Sequence, residues 1–366
     1  MRIQAAVLRE PKGKFAMEEV ELDEPRDGEV LVRVLGAGMC HTDMIPRTLP
    51  PGAIPLPMIF GHEGAGIVEA VGRSVSAIKP GDSVVLSFDS CGKCPRCLIG
   101  EPAYCHEFGY LNTSGMRPDG TPGAASLDGQ PIRARWFGQS TFATHALATE
   151  RNTVKVDADL PLHLMGPLGC GIQTGAGSVL IAMGVRTGDT LAVFGTGAVG
   201  LSAVMAANVV SASKIIAVDL HSQRRELALE LGATHAFDGA DPDLAERIKD
   251  LTGGGVNYSF DTTGVPAVVN AAIDSLQIRG FCGLVGVGSP GYTLGPQALG
   301  GGRMASYLLE GNAVPQIFIP KMVELWQRGR FPFDRLIETY PMAQADQAEA
   351  DSVAGRTVKP VLLPSS

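Results

Sequence analysis

Residues 190–200 read TLAVFGTGAVG and combine an apolar run with three closely spaced glycines. The run Thr190–Phe194 predicts a buried strand, which Gly195, Gly197 and Gly200 follow directly. Glycines at this spacing allow a tight turn, close approach of the backbone to a pyrophosphate, and close packing of a helix on the strand. The helix predicted from Ala198 would receive the anion at its N-terminus. We therefore predict a dinucleotide-binding turn; a glycine turn without a ligand is the alternative.

The chain after this turn continues as an alternation of strands and helices. Strands separated by helices predict a parallel, doubly wound sheet and hence an α/β fold. The predicted strands are Lys214–Asp219, Val256–Asp261 and Phe281–Val287, and the predicted helices are 198–211, 224–231, 266–276 and 320–328.

Asp219 ends the second predicted strand, where a carboxylate can accept hydrogen bonds from both ribose hydroxyls of a dinucleotide and repel a 2′-phosphate. This position favours NAD over NADP. Arg224 and Arg225 qualify the preference, because a nearby arginine can hold a 2′-phosphate. Alternatively, both arginines are solvated charges of the helix.

The chain before residue 155 alternates short β-branched runs with turn residues and predicts a β-rich domain with long loops. Leu164–Met183 is apolar enough to be one buried helix that links two bodies, and the tail at 357–362 is expected to return to the first domain. The predicted strands of the first domain are 4–8, 29–35, 66–71, 83–86 and 141–147.

Composition excludes several classes of protein. A formal net charge of −8 without a basic block argues against a nucleic-acid surface, because Lys and Arg supply most of such affinity. No apolar run reaches the roughly 18 residues that a membrane-spanning helix needs. The segment Met1–Gln4 resembles a strand and not a signal peptide, so we expect a cytoplasmic protein that acts on a small molecule.

Four of the seven cysteines lie within fifteen residues, at positions 91, 94, 97 and 105. Cys91, Cys94 and Cys97 at this spacing can converge on one tetrahedral ion, and Cys105 would close the shell. A closed thiolate shell predicts a structural zinc site. An iron–sulfur cluster is the rival interpretation, and four unconnected thiols are the third.

Cys40-His41-Thr42-Asp43 is predicted to be a loop in which a thiolate precedes a hydroxyl by two residues. With His62 and Cys170 it would give zinc two sulfur ligands and one nitrogen, leaving the fourth position open for an alcohol. Glu63 would lie close by, either as a support of a ligand or as a transient ligand. Each cysteine could instead be a buried apolar thiol, and His62 a hydrogen-bonded core histidine.

Together the motifs resemble the zinc-dependent, medium-chain alcohol dehydrogenases over nearly the whole chain. The motifs are GHEGAG at 61–66, KPGDSVV at 79–85, the four cysteines at 91–105, and GTGAVG at 195–200 with Asp219. Within the family, GCGIQTGAG at 169–177 and FIP at 318–320 look like the aryl (benzyl) alcohol dehydrogenase branch.

The resemblance implies a β-rich GroES-like catalytic domain (residues 1–171 and 310–366) and a Rossmann cofactor domain (residues 172–309). It implies interconversion of primary alcohols, aromatic or allylic, with aldehydes by hydride transfer to and from NAD. Two zinc ions per subunit and a homodimer, with a tetramer possible, follow from the same resemblance. The alternatives are an aliphatic, terpenoid or thiol-adduct alcohol dehydrogenase, a non-catalytic dinucleotide-binding protein, and a zinc-based nucleic-acid module.

The resemblance also assigns roles to individual residues. It implies catalytic-zinc ligation by Cys40, His62 and Cys170, with Glu63 close by and Asp43 orienting His62. Thr42 would hydrogen-bond the substrate oxygen and accept its proton. The pyrophosphate of the cofactor would contact His41 and Lys359, and its nicotinamide would contact Thr174, Val199 and Val287. The other residues expected to bind the cofactor are Gly195, Gly197, Ala198, Gly200, Asp219 and Arg224. The substrate pocket would include Trp136, Phe137 and Val287.

One position departs from the family pattern. Where many members carry a histidine five residues after the first zinc cysteine, as an outer proton relay, this chain has Ile45. The proton must then pass from Thr42 through the cofactor ribose and water, or through His41.

Overall fold

The computed structural model describes residues 1–50, 52–287, 291 and 293–365. Contacts between Cα atoms divide the chain into two compact units. The first contains Met1–Gly171, Val314–Lys321 and Asp334–Ser366, and the second contains Ile172–Ala313 and Met322–Phe333. The sequence placed residues 310–366 with the first domain, whereas residues 310–313 and Met322–Phe333 pack with the second unit. The functional limits of the two domains stay a prediction.

The β-strands vary from two to ten residues in the first unit and from four to nine in the second. Within the described residues they are β1 (Arg2–Leu8), β2 (Ala16–Leu22), β3 (Glu29–Gly38), β4 (Met58–Ile59), β5 (Glu63–Val71), β6 (Ser83–Leu86), β7 (Gly123–Ser126), β8 (Pro131–Arg133), β9 (His145–Thr149), β10 (Thr153–Val156), β11 (Thr190–Phe194), β12 (Lys214–Asp219), β13 (His235–Asp238), β14 (Val256–Asp261), β15 (Leu276–Leu284), β16 (Met304–Tyr307), β17 (Ile337–Pro341) and β18 (Lys359–Leu363).

The α-helices alternate regularly with strands in the second unit, and the helix Ala345–Val353 connects two parallel strands, β17 and β18, in the first. In the same described part of the chain they are α1 (His41–Thr48), α2 (Pro95–Leu98), α3 (Phe108–Thr113), α4 (Leu162–Met165), α5 (Gly171–Gly177), α6 (Ala198–Val209), α7 (Ser222–Glu230), α8 (Leu244–Thr252), α9 (Pro266–Asp274), α10 (Pro315–Gln327) and α11 (Ala345–Val353).

The second unit is built on a six-stranded, all-parallel sheet in the order β13-β12-β11-β14-β15-β16. This order reverses between β11 and β14, which is the switch point where such sheets bind ligands at the carboxyl ends of their strands. The prediction of a doubly wound sheet is confirmed. The sequence missed β13 and β16, because both are short and lack a continuous β-branched run.

The first unit combines a closed barrel, β1-β2-β7-β8-β4, with a seven-stranded sheet in which β9 also pairs with β3. The tail returns to this sheet, because Val361 and Leu362 of β18 lie opposite Gly38 and Ala37 of β3. The β-rich first domain and the returning tail are therefore both confirmed.

Four sequence predictions of local structure are wrong. The strand predicted at 281–287 is displaced, because β15 already begins at Leu276, soon after α9 ends at Asp274, and ends at Leu284. The segment from Cys40 to Asp43 is not a loop, because Cys40 precedes α1 and the next three residues form its first turn. Leu164–Met183 is not one helix, since it breaks at Cys170. The strand predicted from residue 141 begins only at His145, because Thr141 and Phe142 donate backbone hydrogen bonds to Gly61 and Phe60 instead (2.9 Å each).

No single helix in the described ranges is long and apolar enough to cross a membrane. One bent pair, 162–169 with 171–182, meets the criteria of length and composition when its two helices are taken together.

Candidate metal centre and cofactor cleft

Cys40, His62 and Cys170 come together in the first unit. One ligand atom from each residue lies within 4.8 Å of the other two. Cys40 stands at the start of α1, His62 directly before β5, and Cys170 directly before α5. The structure therefore assembles the three predicted ligands from three separate parts of the chain.

Cys170 reaches this position because the backbone breaks there. A 3-10 turn, Gly166–Gly169, ends at Cys170, whose φ and ψ of −145° and −82° are not helical. A Cβ atom on Gly169 would lie only 1.9 Å from the carbonyl oxygen of Leu86, so the turn packs against the backbone at a distance that only glycine allows. Hence the apolar segment turns at Cys170, which places the thiol of Cys170 beside Cys40 and His62.

Asp43 is fully buried and accepts hydrogen bonds from four donors. Its Oδ1 accepts from Nδ1 of His62 at 2.7 Å, from the indole Nε1 of Trp136 at 3.0 Å and from the backbone N–H of Gly61 at 3.1 Å. Its Oδ2 accepts from the backbone N–H of Cys40 at 3.1 Å. The carboxylate thus connects two of the three ligands and fixes which nitrogen of His62 faces the thiolates.

The other nitrogen of His62, Nε2, is buried and has no hydrogen-bond partner among the described residues. Buried polar atoms are rarely unpaired without a reason, and a missing metal ion is one such reason. Two thiols and an imidazole nitrogen held by a carboxylate form the ligand set that zinc prefers. The three residues therefore fit a zinc ion.

Electrostatics favours the thiolate form of Cys40. The hydrogen bond from Cys170, assisted by the charge of His62, lowers the pKa of Cys40 well below its ordinary value despite burial. Burial opposes a charge on His62, but Asp43 and Cys40 raise its pKa well above the ordinary value. A metal ion would compensate the negative charge of this buried thiolate.

Glu63 lies beside the three ligands, but its carboxylate is paired with Lys359. Both carboxylate oxygens accept hydrogen bonds from Nζ of Lys359 at 2.9 Å, and Oε1 also accepts from the backbone N–H of Gly171 at 2.9 Å. Burial raises the pKa of Glu63 against the opposing charge of Lys359. Lys359 is only 3% exposed and donates further to the carbonyl oxygen of Met39 at 3.2 Å. Its predicted contact with a pyrophosphate stays a prediction.

Cys91, Cys94, Cys97 and Cys105 form the second cluster, again with all ligand atoms within 4.8 Å. Backbone N–H groups of Cys91 and Glu107 donate to the sulfur of Cys105 at 3.2 and 3.4 Å. Backbone hydrogen bonds also lower the pKa of Cys94 to about 6. Four converging sulfurs with backbone donors match a closed structural zinc site.

The second unit contains a cleft of about 740 Å³ that Gly195, Gly197, Asp219 and Arg224 help to line. Gly195 has a φ of +86°, and a Cβ atom on Gly200 would lie 1.9 Å from the carbonyl oxygen of Gly195. The turn therefore needs glycine at both ends, as the sequence predicted. This cleft lies at the carboxyl ends of β11 and β12.

The carboxylate of Asp219 is oriented by the turn and by the following residues. Its Oδ2 accepts from the backbone N–H and the hydroxyl of Thr196 at 2.7 and 2.9 Å, and its Oδ1 accepts from the backbone N–H of His221 at 2.9 Å. Arg225 donates to the carbonyl oxygen of Asp219 at 2.7 Å and forms an ion pair with Asp238 at 3.3 Å. Arg224 remains in the cleft, and its Nε is buried without a partner among the described residues.

The predicted nicotinamide contacts also lie in the second unit. Thr174 on α5 and Val199 on α6 are half-buried, whereas Val287 is 59% exposed. Thr174 donates a hydrogen bond of 3.5 Å to the buried carboxylate of Glu310, which also accepts one of 3.1 Å from Gln173.

Sequence reasoning missed two buried polar residues near the predicted sites, Gln139 and Glu310. The amide of Gln139 donates to the carbonyl oxygens of His62 and Ser87 at 2.9 Å each and accepts from the backbone of Gly64 at 3.1 Å. Each of these two polar residues has mostly apolar or small neighbours in the sequence. This pattern is the signal that could have indicated a buried polar side chain.

Comparison with known proteins agrees with both clusters. Residues 26–158 match the family model "Alcohol dehydrogenase GroES-like domain", and residues 198–318 match "Zinc-binding dehydrogenase". A geraniol dehydrogenase from Castellaniella defragrans is 47% identical over 98% of this chain and 97% of its own. The crystal structure of a zinc-binding alcohol dehydrogenase domain protein from Burkholderia ambifaria has a TM-score of 0.97 at 47% identity, and that of benzyl alcohol dehydrogenase from Acinetobacter calcoaceticus 0.94 at 43%; both alignments cover 100% of each chain.

These matches, with the geometry, decide between the alternatives that the sequence left open. The four-cysteine cluster is a structural zinc site and not an iron–sulfur site, and Cys40, His62 and Cys170 form a catalytic zinc site. The family implies a nicotinamide cofactor, and the protein is an enzyme rather than a non-catalytic dinucleotide-binding protein. The chain belongs to the zinc-dependent, medium-chain alcohol dehydrogenases.

Proposed function

We propose that this enzyme interconverts primary aromatic or allylic alcohols and their aldehydes, with NAD as the cofactor. The observation that carries the substrate class is Phe137, whose ring stacks on the imidazole of His62 with centroids 4.2 Å apart and planes at 22°. An aromatic face thus borders the catalytic zinc site, where a flat, unsaturated substituent next to the hydroxyl carbon would pack well. The relatives named for geraniol and for benzyl alcohol support the same class.

Four residues of the chain prepare the reaction. Cys40, His62 and Cys170 hold the metal position, and Asp43 holds His62. When bound, zinc polarises the alcohol oxygen and the nicotinamide accepts a hydride from the carbon that bears it. The buried aromatic side chains beside the metal site exclude water that would compete with the alcohol.

Thr42 accepts the proton of the alcohol in this proposal. It lies in the first turn of α1, two residues after Cys40, and is half-buried. Ile45 in the same helix cannot transfer a proton. The proton therefore continues through the cofactor ribose and water, or through the exposed His41 that follows Cys40.

Asp219 supports the choice of NAD. Its carboxylate lies at the end of β12, lines the cleft of the second unit, and is held there by Thr196 and His221. A 2′-phosphate at this place would meet a buried negative charge, whereas ribose hydroxyls would donate hydrogen bonds to it. Arg224 lines the same cleft and acts against this preference, because an arginine can hold a 2′-phosphate.

A substrate panel tests the proposal. NAD reduction is followed with benzyl alcohol, cinnamyl alcohol, an allylic terpene alcohol and ethanol, and zinc is counted per subunit. We expect kcat/KM for the unsaturated alcohols to exceed that for ethanol by about a hundredfold or more, a difference of about 2.7 kcal/mol in transition-state binding. Phe137→Ala should narrow this ratio, while Phe137→Leu, which keeps apolar bulk, should narrow it less. Equal kcat/KM for ethanol and benzyl alcohol would contradict the proposed substrate class.

A further inference from the structure

The turn at 136–140 is strained and lies against a zinc ligand. Phe137 and Ser140 have φ angles of +49° and +55°, which side chains other than glycine rarely adopt. Residues in such conformations persist only where the surrounding structure fixes them, and they concentrate at functional sites. The surrounding structure therefore fixes this turn in place.

Side-chain hydrogen bonds fix this turn to the segment around His62. The hydroxyl of Ser140 donates to the carbonyl oxygen of Ile59 at 2.7 Å and accepts from the backbone N–H of Trp136 at 2.8 Å. Gln139 binds the carbonyl oxygen of His62 at 2.9 Å and the backbone N–H of Gly64 at 3.1 Å. The turn is thus attached on both sides of the ligand, before it and after it.

The indole of Trp136 is held in one orientation. The ring is 2% exposed and packs edge-on against Phe60 and Phe137, with centroids 5.0 and 5.4 Å away. Its Nε1–H donates to Oδ1 of Asp43 at 3.0 Å, the same oxygen that accepts from His62. Trp136 and His62 are the two side chains that share this oxygen.

We propose that Trp136 is a positioning residue for the zinc ligand His62, acting through Asp43, and not only a wall of the substrate pocket. A fully buried carboxylate needs several donors to hold its orientation. Removing the indole N–H leaves Oδ1 with one donor fewer and with freedom to rotate away from the imidazole. Partners that orient a metal ligand typically contribute 10- to 100-fold to metal affinity.

The test compares two variants. Trp136→Phe keeps an aromatic ring without the N–H, and Trp326→Phe changes the chain's second tryptophan, which lies in the second unit. Loss of zinc from the purified enzyme to a coloured chelator is followed in time. The four-cysteine site serves as an internal reference in the same molecule. We expect Trp136→Phe to lose one of its two zinc ions about 10- to 100-fold faster than the unchanged enzyme, and Trp326→Phe to lose neither faster.

Kinetics with added zinc separate a positioning role from a pocket role. A change in the metal ligand affects every substrate, so kcat/KM for benzyl alcohol and for ethanol should fall by the same factor in Trp136→Phe. Unchanged zinc release with an altered ratio of the two kcat/KM values would overturn the proposal and leave Trp136 as a pocket wall. Unchanged zinc release with an unchanged ratio would overturn it as well.

A double-mutant cycle and a rescue variant address the route through Asp43. In an Asp43→Asn background, Trp136→Phe should accelerate zinc loss much less than in the unchanged enzyme, because the partner of the indole is already altered. The same acceleration in both backgrounds would contradict the route. Trp136→His retains a ring N–H and should recover part of the zinc retention lost in Trp136→Phe; release as fast as in Trp136→Phe would also contradict it.

Discussion

The single carboxylate of Asp219 determines which dinucleotide this enzyme prefers, in our proposal. Asp219→Asn removes its charge but keeps its length and one acceptor oxygen. The repulsion of a 2′-phosphate then disappears, so the ratio of kcat/KM for NADP to that for NAD should rise by about ten- to a hundredfold, or about 1.4–2.7 kcal/mol. Steady-state kinetics with both cofactors and one alcohol measure this ratio.

Asp241 provides the matched control, because its carboxylate lines the same cleft. It binds the backbone N–H of Asp243 at 2.9 Å and pairs with Arg247, so its charge is already compensated. Asp241→Asn should leave the ratio nearly unchanged. If both substitutions changed the ratio equally, general charge in the cleft and not Asp219 would select the cofactor.

Individual residues were predictable where a motif prescribes them and not where distant side chains meet. The two clusters of zinc ligands followed from cysteine spacing and family motifs. In the structure the residues of each cluster do converge. The hydrogen bond between Trp136 and Asp43 joins residues 93 positions apart, and the ion pair of Lys359 with Glu63 joins residues 296 apart. Such contacts depend on packing directions that one sequence does not contain.

At the scale of elements, the break at Cys170 was the main feature that the sequence did not predict. Composition alone made 164–183 a buried helix, because small and apolar residues suit a helix interior. Packing overrides that tendency: α4 and α5 are separated by a 3-10 turn whose Gly169 lies against the backbone of Leu86. The regular elements β11, α6 and β12 were predicted well, since their apolar runs end at clear glycine or polar signals.

Gly169→Ala tests whether this break positions the ligand. The new Cβ would lie 1.9 Å from the carbonyl oxygen of Leu86, so the turn must shift. Overpacking of this kind costs about 1–3 kcal/mol and lowers Tm by several degrees in domains of this size. We expect a lower Tm together with a lower zinc content, measured by thermal unfolding and metal analysis of the same samples.

Gly109 supplies the control for this substitution. It lies within α3, and a Cβ atom there would meet nothing within 4 Å. Gly109→Ala should keep both zinc ions and leave Tm unchanged or slightly higher, because alanine favours a helix over glycine. Full zinc content and an unchanged Tm in Gly169→Ala would show that the break does not depend on this close approach.

At the scale of the whole molecule, two folding units follow from two different sequence textures. The period of strand, helix and glycine turn predicted the parallel sheet, and the β-branched runs of the first part predicted a β-rich body. The barrel closure β1-β2-β7-β8-β4 was not predictable, because it pairs strands whose short sequences carry no pairing information. The family resemblance supplied the GroES-like fold that local patterns could not.

Subunit association is the remaining prediction, and the edge of the parallel sheet is the place to test it. β16 pairs with β15 and is the last strand in the order of the sheet, and its Met304 and Tyr307 are 51% and 46% exposed. An exposed edge strand with apolar side chains is a template for pairing with a second copy.

We expect the enzyme to have, in light scattering, twice the 38.3 kDa mass of the chain, or four times that mass if two dimers associate. Met304→Glu should shift it toward the monomer, because two negative charges would face each other across the symmetric contact, whereas Val353→Glu on α11, at a residue 75% exposed, should not. A monomer before any substitution would contradict the prediction, and a dimer unaffected by Met304→Glu would place the contact elsewhere.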